Sequence, residues 1–319
     1  MKEIGGYLEF EHCNKSMLHE NFLAFNCARN CLAYLLIKKK IKKLYIPKFL
    51  CDSVFNTCQR YGVDIEYYDI DINFLPQKFN IEPDSWVYIV NYYGQISNDQ
   101  INVVKNKYKN IIVDNVQAYF QEPINNIDTI YTCRKFFGVS DGAFLYSNIE
   151  MDATIMQDES YERMRYLLGR FERTASEFYG EYVIREDDFT RAPIMRMSKL
   201  TENILRTIDY NHVSMIRKEN FEYLHNRFKK INKLYLTIPE GAYMYPLYIE
   251  NGSFVRTELL KEKIYVPTLW PEVVKRNEVD SLEYNLAKNI LPLPVDQRYG
   301  IGDMEYISRR IEKISEANL

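Results

Sequence analysis

Asn110–Gly142 reads NIIVDNVQAYFQEPINNIDTIYTCRKFFGVSDG. Ile111-Ile112-Val113 forms a short apolar strand ending on an acid, Asp114. After a polar loop, Thr129-Ile130-Tyr131 forms a second strand, followed by Thr132-Cys133-Arg134-Lys135 and a glycine-bearing turn. Neighbouring parallel strands with these ends deliver a carboxylate and a lysine to one edge of a sheet. That pairing suits pyridoxal 5'-phosphate: the amine condenses with the cofactor aldehyde, and the carboxylate keeps the pyridine nitrogen protonated so that the ring accepts electrons. On spacing alone, a strand-end acid and a surface lysine that never meet is the commoner case, and the rest of the chain has to argue for the pair.

Upstream, Leu44-Tyr45-Ile46-Pro47, Ile65–Asp69 and Trp86–Val90 read as strands, separated by helices at 51–61 and 98–109. The second helix places Ile101, Val104 and Tyr108 on one face. Alternation of strand and helix predicts an α/β fold with a mostly parallel sheet and right-handed crossovers. Ligands then sit beyond the carboxyl ends of the strands, where Asn91, Asp114 and Lys135 fall. A helix starting near Ala28 exposes free N–H groups, which makes a phosphate seat, although any helix start offers the same geometry. A short strand is expected around Tyr7–Phe10, a return strand at 143–150, and a charged helix or helix pair at 153–180. A long helix, broken once, is expected from Lys199 to Ile231, with Phe221, Leu224, Phe228 and Ile231 on its apolar face.

Beyond Asn232 the pattern changes to short strands at Leu234–Leu236, Tyr245–Ile249 and Ile264–Pro267, a helix at 253–261 and a closing helix from Asp303 to Ala317. This predicts a large α/β domain over 1–215 and a small α+β domain over 216–319.

Composition bounds the function. Hydrophobic residues make up 46% and charged residues 27% of the 319 residues, the balance of a globular protein with a sizeable core. A net charge of −3 gives no electrostatic case for nucleic acid. The one basic run, Lys38–Lys43, reads as a solvated helix end. No apolar run reaches the roughly 20 residues that span a bilayer, and the N-terminus lacks a signal-peptide core, so a cytoplasmic location is expected. Cysteines 13, 27, 31, 51, 58 and 133 form no CxxC pair, and the four histidines show no ligand spacing. Reduced thiols and no metal site are expected.

Seven motifs in order resemble the DegT/DnrJ/StrS sugar aminotransferases, over roughly residues 20 to 315. Asn26–Leu32 is similar to that family's Asn-Ser-Gly-Arg/Thr phosphate turn, and Ile46–Cys51 to its proline-led segment. Asn91–Gln95 resembles His-Leu-Tyr-Gly-Gln, Ile112–Ala118 resembles Val-Ile-Glu-Asp-Ala-Ala-Gln-Ala, and Thr132–Phe136 resembles the Ser-x-Arg-Lys form of the lysine motif. Arg196-Met197-Ser198 and Leu291–Arg298 resemble the Arg-Met-Ser and closing Leu-Pro segments.

The resemblance implies a fold-type I pyridoxal-phosphate transferase that moves an amino group, with glutamate as donor, to a keto-sugar nucleotide. Lys135 then holds the cofactor and shuttles the proton. Asp114 holds the pyridine nitrogen, and Gln117 lies near the ring. The Thr132 hydroxyl and the amides of Ala28 and Arg29 bind the phosphate. It also implies a homodimer with shared sites and residues 190–196 reaching across.

Four places depart from the family pattern. Cys27-Ala28 replaces Ser-Gly. Leu50 or Cys51 stands where a ring usually stacks, with Phe49 and Tyr92 as possible substitutes. Asp141-Gly142-Ala143 replaces Gly-Gly, and no asparagine precedes Arg-Met-Ser. These departures keep two alternatives in view: a dehydratase or a transferase on a smaller carbonyl compound, and a non-catalytic scaffold of the same fold.

Overall fold

Runs of β-branched and aromatic residues four or five long, buried on both faces, can only be interior strands of a helix-covered sheet. The computed structural model, which describes residues 4–316, contains that sheet. In chain order the large α/β unit comprises β1 (Leu23–Phe25), α1 (Ala28–Lys38), β2 (Lys43–Pro47), α2 (Asp52–Arg60), β3 (Asp64–Tyr68), β4 (Trp86–Val90), α3 (Asn98–Tyr108), β5 (Ile111–Asp114), β6 (Asp128–Thr132) and β7 (Ala143–Tyr146). The strands lie in the order β1-β7-β6-β5-β4-β2-β3. β3, β2, β4, β5 and β6 run parallel, and β7 is antiparallel to both β6 and β1. Two reversals leave β1 parallel to β6, so the ends of β1, β5 and β6 share one edge. Asp114 pairs in register with Ile130, which places the acid beside the strand that leads to Lys135.

After β7 come α4 (Arg165–Glu172), α5 (Tyr179–Asp188), α6 (Lys199–Leu205) and α7 (Tyr210–Phe228). A two-stranded antiparallel sheet of β8 (Met244–Tyr248) and β9 (Ile290–Pro294) follows, with α8 (Gly252–Lys261), α9 (Pro271–Arg276) and α10 (Leu282–Asn289) between the strands and α11 (Ile301–Glu316) after them. Phe221, Leu224 and Phe228 of α7 are buried against Tyr245, Leu247, Leu291, Leu293 and Ile311, while Val213, near the start of the same helix, joins the cluster under the lysine turn. One helix thus bridges two cores.

Several expected elements are absent or displaced. Tyr7–Phe10 forms no strand and is exposed. The place beside β7 belongs instead to Leu23–Phe25, and a strand without a partner leaves its backbone groups to water. Leu234–Leu236 forms no strand either. The Asn232 side chain accepts from the N–H groups of Leu234 (3.1 Å) and Tyr248 (3.0 Å) and donates to the Pro246 carbonyl (2.9 Å), so a side chain does the work of a ladder. Ile264–Pro267 is not a strand, because the Ile264 N–H closes the end of α8 on Leu259 O. The partner of β8 is the Leu-Pro-Leu-Pro run, with Pro246 opposite Pro292 at a pair where neither strand needs a donor. The helix pair expected at 153–180 lies later, at 165–188, and Ile231 lies beyond α7 and is exposed. Among the described residues, no helix is long and apolar enough to cross a membrane.

Candidate active site

Ile111-Ile112-Val113-Asp114 is buried throughout, so the chain carries a carboxylate into the core at its strand end. Desolvation pushes the Asp114 pKa up; attraction to Lys135 and two donors oppose that shift. The donors are the Tyr88 hydroxyl from β4, 2.7 Å from Oδ2, and the Val116 N–H, 2.9 Å from Oδ1. Tyr88 was not anticipated from sequence. It looks like any core tyrosine of a buried strand, and only the pairing of β4 with β5 turns its hydroxyl to the acid.

Lys135 rides on a tight turn. The Cys133 carbonyl accepts from the N–H groups of Phe136 (3.0 Å) and Phe137 (2.9 Å), and the Cys133 N–H donates to Gly142 O (3.0 Å). Gly142 has φ +112°, and a β-carbon there would press on Thr201 and Cys133. Glycine is required at that point because an L side chain disfavours this backbone. Lys135 is an exposed residue, although protein atoms crowd its side chain closely enough to desolvate the amine. Its Nζ stands 5.5 Å from the centre of the Tyr243 ring. Desolvation lowers its pKa, Arg29 and Arg134 add to that, and Asp114 and Cys51 act in the opposite sense. Asp114 and Lys135 each weigh on the other's charge, so the structure brings the two together.

The departure at Asp141 has a structural reason. Its buried carboxylate accepts from the Ser198 N–H (2.8 Å) and hydroxyl (2.8 Å) and from the Thr201 hydroxyl. Asp141 therefore holds Ser198, the N-cap of α6, and ties the lysine turn to Arg196-Met197-Ser198.

At the third strand end, β1 runs into α1 through Asn26 and Cys27. Cys27 is the N-cap and makes no side-chain cap bond. Its carbonyl takes the N–H groups of Asn30 (3.0 Å) and Cys31 (3.2 Å), while among the described residues no backbone partner takes those of Ala28 or Arg29. The turn is shaped from outside. Asn26 Nδ2 donates to Asp158 (3.1 Å), Asn30 Nδ2 donates to Asn26 Oδ1 (2.7 Å) and Pro193 O (2.6 Å), and Arg163 pairs with Asp158 at 2.8 Å. Arg134, paired with Glu186 and 4.4 Å from the Phe189 ring, weighs on both Cys27 and Lys135.

The remaining expected residues divide. Thr132 is buried, and its hydroxyl makes one long contact, 3.5 Å to Gly142 O. Gln117 is buried, and its Oε1 accepts the N–H of Tyr93 (2.8 Å), a non-glycine residue held at φ +55°. Asn91 is fully engaged away from the edge, with Asn115, Gln121 and the Ile96 N–H. Phe49 and Tyr92 are each 1% exposed and pack on one another and on Trp270, so neither offers a free face. Cys51, partly buried, is the residue of that segment that weighs on Lys135.

No family model matches the chain. No curated protein matches it in sequence. Solved structures do match. The chain has the fold of the sugar aminotransferases. It is similar to the sugar aminotransferase CalS13 from Micromonospora echinospora at TM-score 0.62 and 14% identity, over 92% of this chain and 88% of that one. The PMP-form of Spr1654 from Streptococcus pneumoniae superposes at TM-score 0.65 and 14% identity, over 93% and 88%. The E. coli GDP-4-keto-6-deoxy-D-mannose-3-dehydratase with bound hydrated PLP superposes at 0.61 and 15%, over 91% and 87%.

Proposed function

We propose that the chain is a pyridoxal-phosphate-dependent aminotransferase that moves an amino group from an amino-acid donor, glutamate, to a keto-sugar nucleotide. The observation that carries this reading is the meeting of Asp114 and Lys135 at one sheet edge with the open amides of α1. A buried carboxylate, a reachable amine of lowered basicity and unpaired N–H groups form a donor set that fits a pyridinium nitrogen, an aldehyde and a phosphate. Pyridoxal phosphate, when bound, supplies the electron-accepting ring.

The chain's own groups do the rest. Asp114, held by Tyr88 and the Val116 N–H, keeps a negative charge where a protonated ring nitrogen needs one. Lys135, whose basicity desolvation has reduced, takes and returns the proton. The Ala28 and Arg29 amides and the Thr132 hydroxyl bind phosphate, and Gln117 borders the ring. Exposed apolar residues on α4 and α5, among them Leu168, Phe171, Val183 and Ile184, support a homodimer.

The decisive experiment is reconstitution with pyridoxal phosphate. A visible absorbance band is expected that sodium borohydride bleaches while fixing the cofactor covalently to Lys135, together with turnover of a keto-sugar nucleotide with glutamate. Absence of the band, or full turnover in Lys135→Ala, overturns the proposal. A second reading, dehydration or transfer on a smaller carbonyl compound, draws on Cys27-Ala28, Cys51 and the dehydratase likeness. A band without amino transfer to any keto-sugar nucleotide in an amino-donor screen selects it.

A further inference from the structure

Arg217 is the largest side chain buried below 2% exposure. A buried cation is costly unless it is fully hydrogen-bonded. No carboxylate bonds it: Asp296, the acid that acts on it most, is itself held by Arg298 at 2.6 and 2.9 Å. Neutral oxygens satisfy it instead. Arg217 Nε donates to Gln297 Oε1 (2.8 Å), Nη1 donates to the carbonyls of Ala242 (2.9 Å) and Tyr243 (3.4 Å), and Nη2 donates to the carbonyl of Phe136 (3.1 Å). Gln297 Nε2 donates to that same Phe136 carbonyl at 2.8 Å. The guanidinium also lies 4.7 Å from the Phe136 ring.

Phe136 directly follows Lys135, and Tyr243 carries the ring that faces the Lys135 amine. One guanidinium therefore holds the backbone on both sides of that amine, and it does so from α7, the helix shared by two cores. Gly241, at φ +55°, lets the Ala242 end come in, since a β-carbon there would strike the Phe120 ring.

We infer that Arg217, with Gln297, is a positioning residue that sets where the Lys135 amine sits and how much water reaches it. The inference rests on Lys135 being the reacting amine, as proposed above. Loosening the clamp lets the turn shift and the amine leave the protein groups that now crowd it, so its basicity rises toward that of a free lysine.

The test uses the full-length chain, first without cofactor. The pH dependence of Lys135 acetylation by acetic anhydride, read by mass spectrometry, gives the titration midpoint of the amine. Arg217→Met is expected to raise that midpoint by about half a pH unit or more. Gln297→Leu, the milder change, should raise it less, and Arg217→Lys should recover part of the shift. With pyridoxal phosphate bound, the pH at which the visible band changes should move in the same sense. kcat should fall roughly tenfold or more, with KM within about threefold.

A midpoint equal to wild type in folded Gln297→Leu and folded Arg217→Met overturns the inference; should Arg217→Met fail to fold, Gln297→Leu alone decides it. Failure of the parent proposal looks different: wild type then forms no visible band, whatever the midpoints are.

Discussion

The two ends of the crevice are built differently. At the carboxylate–amine end the functional atoms belong to side chains, the buried Asp114 and the exposed Lys135, at a sheet edge backed by aromatic rings and the Arg217 clamp. At the α1 end the functional atoms are backbone N–H groups, and a polar network of Asn26, Asn30, Asp158 and Arg163 fixes the turn that presents them. Side-chain chemistry ties function to residue type. Backbone chemistry does not, because any residue but proline offers an N–H. This is why the resemblance is kept at Asp114 and Lys135 and fades at Cys27-Ala28.

The largest expected effect breaks the first end. Lys135→Ala should abolish the visible band on reconstitution and lower transamination by at least about a thousandfold, read by absorbance and steady-state rates. Asp114→Asn should retain cofactor but lose roughly 10²–10³ in kcat, because an amide carries no charge to hold a ring nitrogen protonated.

The support beneath this end is a third target. His19 is stacked on Phe22, packed on Tyr131, and hydrogen-bonded through Nε2 to Tyr119 O (2.8 Å). Burial lowers its pKa to about 4, against an ordinary 6.5. Between those values the unfolded chain takes a proton that the folded chain refuses. Stability is therefore full above the upper value and declines as pH falls through the window, by up to about 3 kcal/mol. Urea melts across that range should show the decline, and His19→Phe should flatten it.

The smallest effect probes the second end. Cys27→Ser gives the N-cap a hydroxyl worth about 1 kcal/mol, or roughly fivefold tighter pyridoxal phosphate with pyridoxal unchanged, measured by fluorescence titration. A larger gain would mean that the side chain, and not only the backbone, governs this end.

Much of the fold was legible in the chain. Strands β2 to β7 and helices α1 to α3 have local signals: apolar runs, the Ser97 start of α3 with its capping box, and strand-end polar residues. β1 was not seen, because three residues at a sheet edge carry no period. The small domain was read less well, since its second strand is rich in proline and Asn232 imitates a ladder. Within the site, Asp114 and Lys135 stood out in sequence, Asp141 stood out only as a departure from the family pattern, and Tyr88 and Arg217 did not stand out. The partners of Tyr88, Asp141 and Arg217 lie 26, 57 and 81 residues away.

From β2 to β7 the order of strands and helices and the residues at the strand ends were determined by the sequence alone, because side-chain period and chain breaks act over a few residues. Tertiary structure decided which hydroxyl holds the acid, which acid ties the lysine turn to α6 and which cation grips it. Those bonds form only when distant segments meet, and a buried polar group takes whatever partner the fold sets within reach.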